Sequence, residues 1–547
     1  MPPLSRRTYW LLGLVWVAFL VKTVFYASFL PMWEGYDEYS HFDYVAYLAN
    51  HRSLPTAQSI GSREVAESLS LVPWPCGHLR PSCVAYAEFW QLPESARQDR
   101  VSQLRSLPPV WQHLPSEPPL DLYEAQQPPL AYFFYVFPYR MLAEYPLRTR
   151  VWFLRLLAGF IASLTIPLGF AVARQVFRDD SSSLGVVVLA ASMPEWFQNV
   201  TRISNEPLAA VLATAFVGVL IALIRQPRHA PWLAAALRAL LGAALITKGY
   251  FITLIPVVVI VYTVSWLRHW ESGRRLIVQA AITLSAALAL SAWWYVRAYL
   301  LTGAFTGQME DVAAAHSNLS AWQAMLRTDW PKVLDLALVS HIWVGGWSFL
   351  VVRTWMYRTI ETIILVAIGG VVYRISRASS GDFGRRKLAA LVLPQFFLWL
   401  GLAYHASASF RGYGVSGTLS HYAYCLVIAE AACLIVGLRT ILPEVSQRWI
   451  VPGLVLCMTA LEWFGVHIYQ LPYYAGLTAH TARGSVPALH FSQLQSGGAV
   501  NMFERLSSTY TGFIGRDALI VLWVLYLVAM AGLLAMSFPG SNDKPRL

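Results

Sequence analysis

Charge is scarce in this chain. Only 13% of its residues are Asp, Glu, Lys or Arg, while 56% are hydrophobic. A soluble domain carries about 25% charged residues, so an ordinary soluble fold is excluded. Cysteine is also rare, at 5 of 547 residues, which excludes a disulfide scaffold. No internal repeat is visible, which argues against a transporter built from two similar halves. What is abundant is apolar and aromatic. Mean hydropathy is +0.47, and 22 Trp with 27 Tyr fit interfacial belts. A net charge of +11 would point a soluble protein toward nucleic acid. Here the basic residues sit mostly in short loops between apolar runs, where they set topology by the positive-inside rule. No nucleic-acid partner is expected; the lipid bilayer is.

The apolar runs predict about twelve membrane spans. They cover roughly 9–30, 152–173, 183–198, 207–224, 232–247, 250–267, 277–299, 355–373, 388–407, 421–438, 449–468 and 514–537. Basic clusters at 174–178, 225–228, 268–275, 374–387 and 544–546 recur at alternate span ends. They place both ends of the chain on the cytoplasmic side, and no cleavable signal peptide is evident. Three longer segments then share the outer face: 31–151, 300–353 and 469–513. The organisation read from this is a module over 1–300, including the outer loop 31–151, followed by further spans over 301–547 with the other two outer loops. The stretch LAYFFYVFPYRML is short for a span and contains Pro138, so it reads as an interfacial or re-entrant helix. Cys425, Cys433 and Cys457 fall within spans and read as packing groups. Cys76 and Cys83 could pair in an oxidising compartment, or join His78 at a metal.

Directly after the first span comes MWEGYDEYSHFDYV, in which Glu34, Asp37, Glu38, His41 and Asp43 are framed by aromatics. This predicts a partly buried acidic pocket at the lipid interface. Its bland alternative is a solvated helix start. Farther on, Glu124 precedes the Pro128–Pro129 pair. The segment PEWFQNVTRISNEP brings Glu195, Arg202, Asn205 and Glu206 to the same side, where Asn205 and Glu206 could also serve the start of a span. Lys248 lies in a tight turn between spans, and a lone Lys there can be a snorkelling anchor. Arg297, Arg411, His421 and Arg505 sit near outer span ends. An acidic centre beside cations suits a phosphate-bearing donor and a hydroxyl acceptor: the carboxylate takes the acceptor proton and the cations stabilise the leaving phosphate. A divalent cation, Mg or Mn, could be held by Asp37, Glu38, His41 and Glu206, although a hard cation asks for more oxygen ligands than the 205–206 loop supplies.

In order and spacing, GYDEYSHFDYVAYL at 35–48, YEAQQPPLAYF at 123–133, NEPLAAVLA at 205–213, TKGYFITLIP at 247–256 and WWYVRAYLLTG at 293–303 resemble GT-C-type glycosyltransferases. The similarity is to the protein-mannosyltransferase and aminoarabinose-transferase-like group, and it covers about the first 300 residues. It implies an all-α polytopic GT-C-like fold with interfacial helices in the first outer loop. It also implies an inverting glycosyltransferase that draws on a polyprenyl-phosphate-linked sugar donor at the periplasmic face of a bacterial-type inner membrane. The acceptor would be a glycan, lipid or protein. The resemblance carries a catalytic Asp onto Asp37, its acidic neighbour onto Glu38, and an acid near donor or acceptor onto Glu124. Asn205 and Glu206 match a second acidic loop, with Asn replacing one acid; Lys248 and Arg297 would face the donor phosphate. A lipid-linked glycan ligase or polymerase, with its key groups in the late loop TAHTARGSVPALHFSQLQ, is the alternative, and a polytopic lipid or solute transporter the other.

Overall fold

The chain is described here by a computed structural model, over residues 4–75, 84–107, 119–177, 179–225, 231–268, 273–377, 383–481, 484–490, 492, 498–510 and 514–538. Cys76, His78 and Cys83 lie outside these residues. Within them the fold is all-α, with three isolated bridges and no strand. Ten helices are long and apolar enough to cross a membrane: Arg6–Phe29, Leu147–Val176, Glu206–Arg225, Gly249–Leu267, Leu276–Thr302, Thr354–Arg377, Gly384–Tyr413, His421–Ile441, Ile450–Tyr474 and Arg516–Ser537. The two remaining apolar runs form shorter helices, Asp180–Ala190 and Pro231–Leu245.

The first of these short helices has a physical cause. Pro194 cannot continue a helix entering from its N-terminal side, so the run at 183–198 splits into Asp180–Ala190 and Pro194–Val200. A broken helix inside a bundle leaves backbone carbonyls that need partners. Lys22, on the first span, supplies one: its Nζ donates to Ala191 O at 3.0 Å and to Glu462 Oε2 at 2.7 Å. Tyr26 donates to the other oxygen of Glu462 at 3.0 Å. Lys22 and Glu462 are both buried.

Elsewhere the spans meet through small residues. Gly370 and Gly437 face each other across two spans. A Cβ on either would lie 2.0 Å from a carbonyl oxygen of the opposing backbone, so no side chain fits there.

The first outer segment folds into short helices over the span ends, among them Glu38–Asn50, Arg63–Leu71 and Leu130–Met141. At 1.5 Å per residue the last is about 18 Å long, too short to span. Tyr132, Tyr135 and Tyr139 are buried, while Phe133, Phe134, Phe137 and Met141 are exposed. One face packs on the protein and the other is apolar and bare, as an interfacial helix requires. Buried Arg150 pairs with Glu64 and holds the Arg63–Leu71 helix to the second span. Three distant stretches of the chain converge on Glu34, whose carboxylate accepts from Tyr86 Oη (2.7 Å), Ser348 N (2.7 Å) and Tyr474 Oη (3.4 Å).

Removing Lys22 strands both a buried carboxylate and a carbonyl. Lys22→Met is expected to destabilise the fold by about 3–5 kcal/mol, and adding Glu462→Leu should recover most of that loss. Thermal unfolding in detergent of the two single variants and the double variant checks this.

Candidate active site

The site begins with a strained turn. Three non-glycine residues among those described have positive φ: Trp33 (68°), Asp37 (55°) and Phe349 (46°). Each such position costs about 1–3 kcal/mol and persists only where packing dictates it. Tyr36 precedes Asp37 in the chain and meets the Phe349 ring at 6.1 Å. The fully buried Trp33 is pinned by its indole N–H to Ser68 Oγ (2.9 Å), and its carbonyl accepts from Trp74 (2.7 Å).

Glu38 and Arg155 hold the other end of the turn. Arg155 Nε donates to Glu38 Oε1 at 2.7 Å, and Nη2 reaches the second carboxylate oxygen. The same guanidinium donates to Leu30 O (2.7 Å) and Pro31 O (2.6 Å), the carbonyls left open at the end of the first span. Ile203 N completes the set on Glu38 Oε1 at 3.1 Å. Glu38, expected from sequence beside Asp37 in the chemistry, is therefore fully occupied as an anchor.

Asp37 is the opposite case. Its carboxylate is partly accessible and makes no hydrogen bond among the described residues. Burial raises its pKa above the ordinary carboxylate value; Arg202 and Lys248 pull it back, and Glu310 pushes it up. Glu124 is raised by burial and then by the charge of Asp37. Burial pushes both carboxylates toward their neutral forms and the charge of Asp37 pushes Glu124 further, so the two resist ionising together, an arrangement that can separate an acid from a base.

A hydrogen-bonded chain lines this centre. Ser40 Oγ accepts from Glu124 N at 2.9 Å and fixes the 123–126 turn. Tyr132 Oη lies 2.8 Å from His41 Nδ1 and 3.4 Å from Glu124 Oε2. Burial, with Lys248 and Arg202 nearby, lowers the His41 pKa and keeps the ring neutral. Asn205 Nδ2 reaches Tyr132 Oη at 3.5 Å, and its Oδ1 accepts from Lys248 Nζ at 2.7 Å. Lys248 also pairs with Glu206 at 2.9 Å, and Tyr250 donates to the second Glu206 oxygen at 3.0 Å.

Arg202, read from the sequence only as part of a polar loop, forms no ion pair with a carboxylate among the described residues. It is 3% exposed. Nη1 donates to Tyr36 O and Nη2 to Asn199 Oδ1, both at 3.1 Å, and Nε is buried without a partner. Its guanidinium lies 5.0 Å over the Tyr36 ring, and the His421 ring stacks on Tyr36 at 4.7 Å. Beside the centre is a cavity of about 190 Å³. Lys248, Glu310, Asp311 and His405 are its titratable lining; Ile252, Leu398 and Leu402 come from two membrane helices.

Three arginines considered for phosphate binding are bonded to backbone carbonyls. Arg297 donates to Pro55 O at 2.7 Å and stacks on Trp294. Arg411 donates to Leu319 O at 2.6 Å. Arg505 donates to Ala475 O at 2.9 Å and lies over Trp90. In the late loop, His480 bonds the carbonyls of Gly484 and Ser348. The oxygen and imidazole groups that could collect a divalent cation are dispersed: Glu38 is on Arg155, Glu206 on Lys248 and His41 on Tyr132. No three His, Cys, Asp or Glu side chains converge among the described residues.

No protein-family model matches the sequence, and no curated protein matches it. Solved structures do align with it. One is ArnT from Cupriavidus metallidurans bound to undecaprenyl phosphate, at 14% identity and a TM-score of 0.48, covering 97% of this chain and 77% of that one. The apo state of ArnT aligns at 13% identity and 0.39, over 90% and 75%. The archaeal oligosaccharyltransferase AglB from Archaeoglobus fulgidus, in complex with an inhibitory peptide and a dolichol-phosphate, aligns at 10% identity and 0.38. That alignment covers 98% of this chain but only 57% of the archaeal protein.

The contrast between Asp37 and Glu38 is measurable without any substrate. A carboxylate whose folded pKa is raised destabilises the fold once pH exceeds its unfolded value of about 4. Asp37→Gly removes that charge and the strain of positive φ together. It should raise the thermal midpoint at pH 8, whereas Glu38→Gln should lower it by leaving Arg155 half-paired.

Proposed function

We propose that the chain is an inverting glycosyltransferase. It moves a sugar from a polyprenyl-phosphate carrier to an acceptor on the outer, non-cytoplasmic face of a bacterial-type plasma membrane. The observation that carries this reading is the pairing of an unpartnered carboxylate, Asp37, with a buried guanidinium that has no counter-ion, Arg202. Base and anion site are built side by side, next to a cavity walled by two membrane helices. The sequence resemblance to GT-C enzymes points the same way.

In this mechanism Asp37 accepts the proton of the acceptor group as it attacks the anomeric carbon. The bond from that carbon to the phosphate oxygen breaks in the same displacement, which inverts the centre. The charge left on the lipid phosphate is taken by Arg202 and Lys248. Glu124, with its proton held by burial and by Asp37, orients the sugar through the His41–Tyr132 network. Glu38 positions rather than reacts. The residues supply both the base and the phosphate-binding charge, so no step requires a divalent ion. The apolar wall of Ile252, Leu398 and Leu402 suits the first prenyl units of the carrier.

Asp37→Asn should lower turnover at least 100-fold with a synthetic polyprenyl-phosphate sugar and purified protein, with donor affinity kept. Near-normal turnover in that variant would remove Asp37 from the mechanism. Arg202→Met should weaken donor binding by about 10-fold or more, as expected for a lost charged hydrogen bond. Arg297→Met, Arg411→Met and Arg505→Met should stay within about twofold of the parent.

The pH profile carries a signed test. Turnover needs ionised Asp37, so its acid limb follows that raised pKa. Arg202→Gln removes a stabilising cation and should move the limb to higher pH. Glu310→Gln removes a repelling anion and should move it to lower pH.

A further inference from the structure

A second polar cavity, of about 300 Å³, lies at the far end of the spans from Asp37. The first span links the two. Its N-terminal residues Arg7 and Thr8 line the cavity and its last residue, Phe29, leads into the acidic turn. A helix of 24 residues is about 36 Å long, so a full hydrocarbon thickness separates the sites. By the alternation of the spans the basic clusters of the sequence fall at this end, which makes it the inner face by the positive-inside rule.

The cavity holds two open valences of opposite kind. Arg439 is 6% exposed. Its Nη1 donates to Ser182 Oγ at 2.8 Å and its Nε is buried without a partner; among the described residues no carboxylate lies within ion-pair distance of it, although the charge of Asp179 is close enough to act on it. Asp179 caps the Asp180–Ala190 helix through Oδ1, which accepts from Ser182 N at 2.6 Å; its Oδ2 is buried and unpartnered. The neighbouring Asp180 is already taken by Thr8 Oγ1 (3.1 Å) and Arg174 (3.2 Å). Exposed Arg7 and Arg448 complete the polar lining. Leu11, Val451, Met536 and Phe538 give the cavity an apolar side drawn from span ends.

An anion alone would satisfy Arg439 and face the free oxygen of Asp179. A cation alone would do the reverse. A phosphodiester carrying a primary ammonium satisfies both. We propose that this cavity binds the headgroup of an inner-leaflet aminophospholipid of the phosphatidylethanolamine type. Its phosphate meets Arg439, with Arg7 and Arg448 at the rim. Its ammonium donates to Asp179, and its chains lie against Leu11, Val451 and Met536. Basic pockets between spans at the cytoplasmic side are established lipid-headgroup sites in membrane proteins; the free carboxylate oxygen is what selects the amine here. A trimethylammonium has no N–H to donate, and a glycerol headgroup has no charge to offer Asp179. The bound lipid would join the inner ends of the first span, the Asp180–Ala190 helix and three later spans, far from the chemistry.

The test is native mass spectrometry of the full-length protein in detergent, titrated with dioleoyl phosphatidylethanolamine, phosphatidylglycerol or phosphatidylcholine. A parallel arm uses soluble phosphoethanolamine. One phosphatidylethanolamine should be retained per chain, with at least tenfold preference over the other two lipids. Asp179→Asn should erase the preference over phosphatidylglycerol while some phosphate-dependent retention stays. Arg439→Gln should lower retention of every lipid at least tenfold. Should that variant fail to fold, exposed Arg448→Gln should still lower retention several-fold. Equal retention of phosphatidylcholine overturns the proposal, as does retention unchanged in the variants. Thermal stabilisation by soluble phosphoethanolamine equal to that by the lipid would also overturn it, by assigning the cavity to a soluble ligand.

Discussion

The ion pair between Glu38 and Arg155 is the constraint from which the candidate site follows. One guanidinium caps the open carbonyls of the first span and grips the first residue of the next helix. Only a tight turn fits between those two fixed points, and Asp37 takes a left-handed conformation to close it. The amide of Ile203 then docks on the same carboxylate and sets the neighbouring Arg202 over Tyr36. Base and anion site are thus positioned by a pair that touches neither reacting group. Breaking a buried pair of this kind is costly, which keeps the strained turn from relaxing.

A polar centre at membrane depth also needs its remaining groups satisfied. The structure uses a graded solution. Glu38 is saturated, Lys248 is shared between Asn205 and Glu206, Arg202 bonds only neutral groups, and Asp37 bonds nothing. Fully bonded side chains are inert scaffolding, and open ones are available to a ligand. Arg202 holds a backbone carbonyl, as Arg297, Arg411 and Arg505 do, but it also keeps a buried Nε without a partner.

Much of the fold was legible in the sequence. Hydropathy alone located all ten long helices, because length and apolarity are direct requirements of the bilayer. The two short helices were read as spans from their apolarity; for one of them, Asp180–Ala190, Pro194 breaks the run before it reaches spanning length. The interfacial helix at 130–141 was recognisable from its length and Pro138. At the site, Asp37 stood out by its place after the first span, and Glu124, His41, Asn205 and Lys248 join one network as their order suggested. Glu38 looked equivalent to Asp37 because adjacency in the chain says nothing about which neighbour meets an arginine from 117 residues away. Arg202 was seen only as one member of a polar loop. What marks it is the lack of a counter-ion, a property of three-dimensional surroundings that spacing does not encode.

The convergence of three distant stretches on Glu34 has a consequence for motion. Tyr86, Ser348 and Tyr474 lie far apart in the chain, yet they share one acceptor. Displacing any one of them opens a buried carboxylate and disturbs the other two. Further bonds join the same stretches, from Trp90 to Tyr474 O and from His480 to Ser348 O, so they are coupled as one layer rather than as independent flaps.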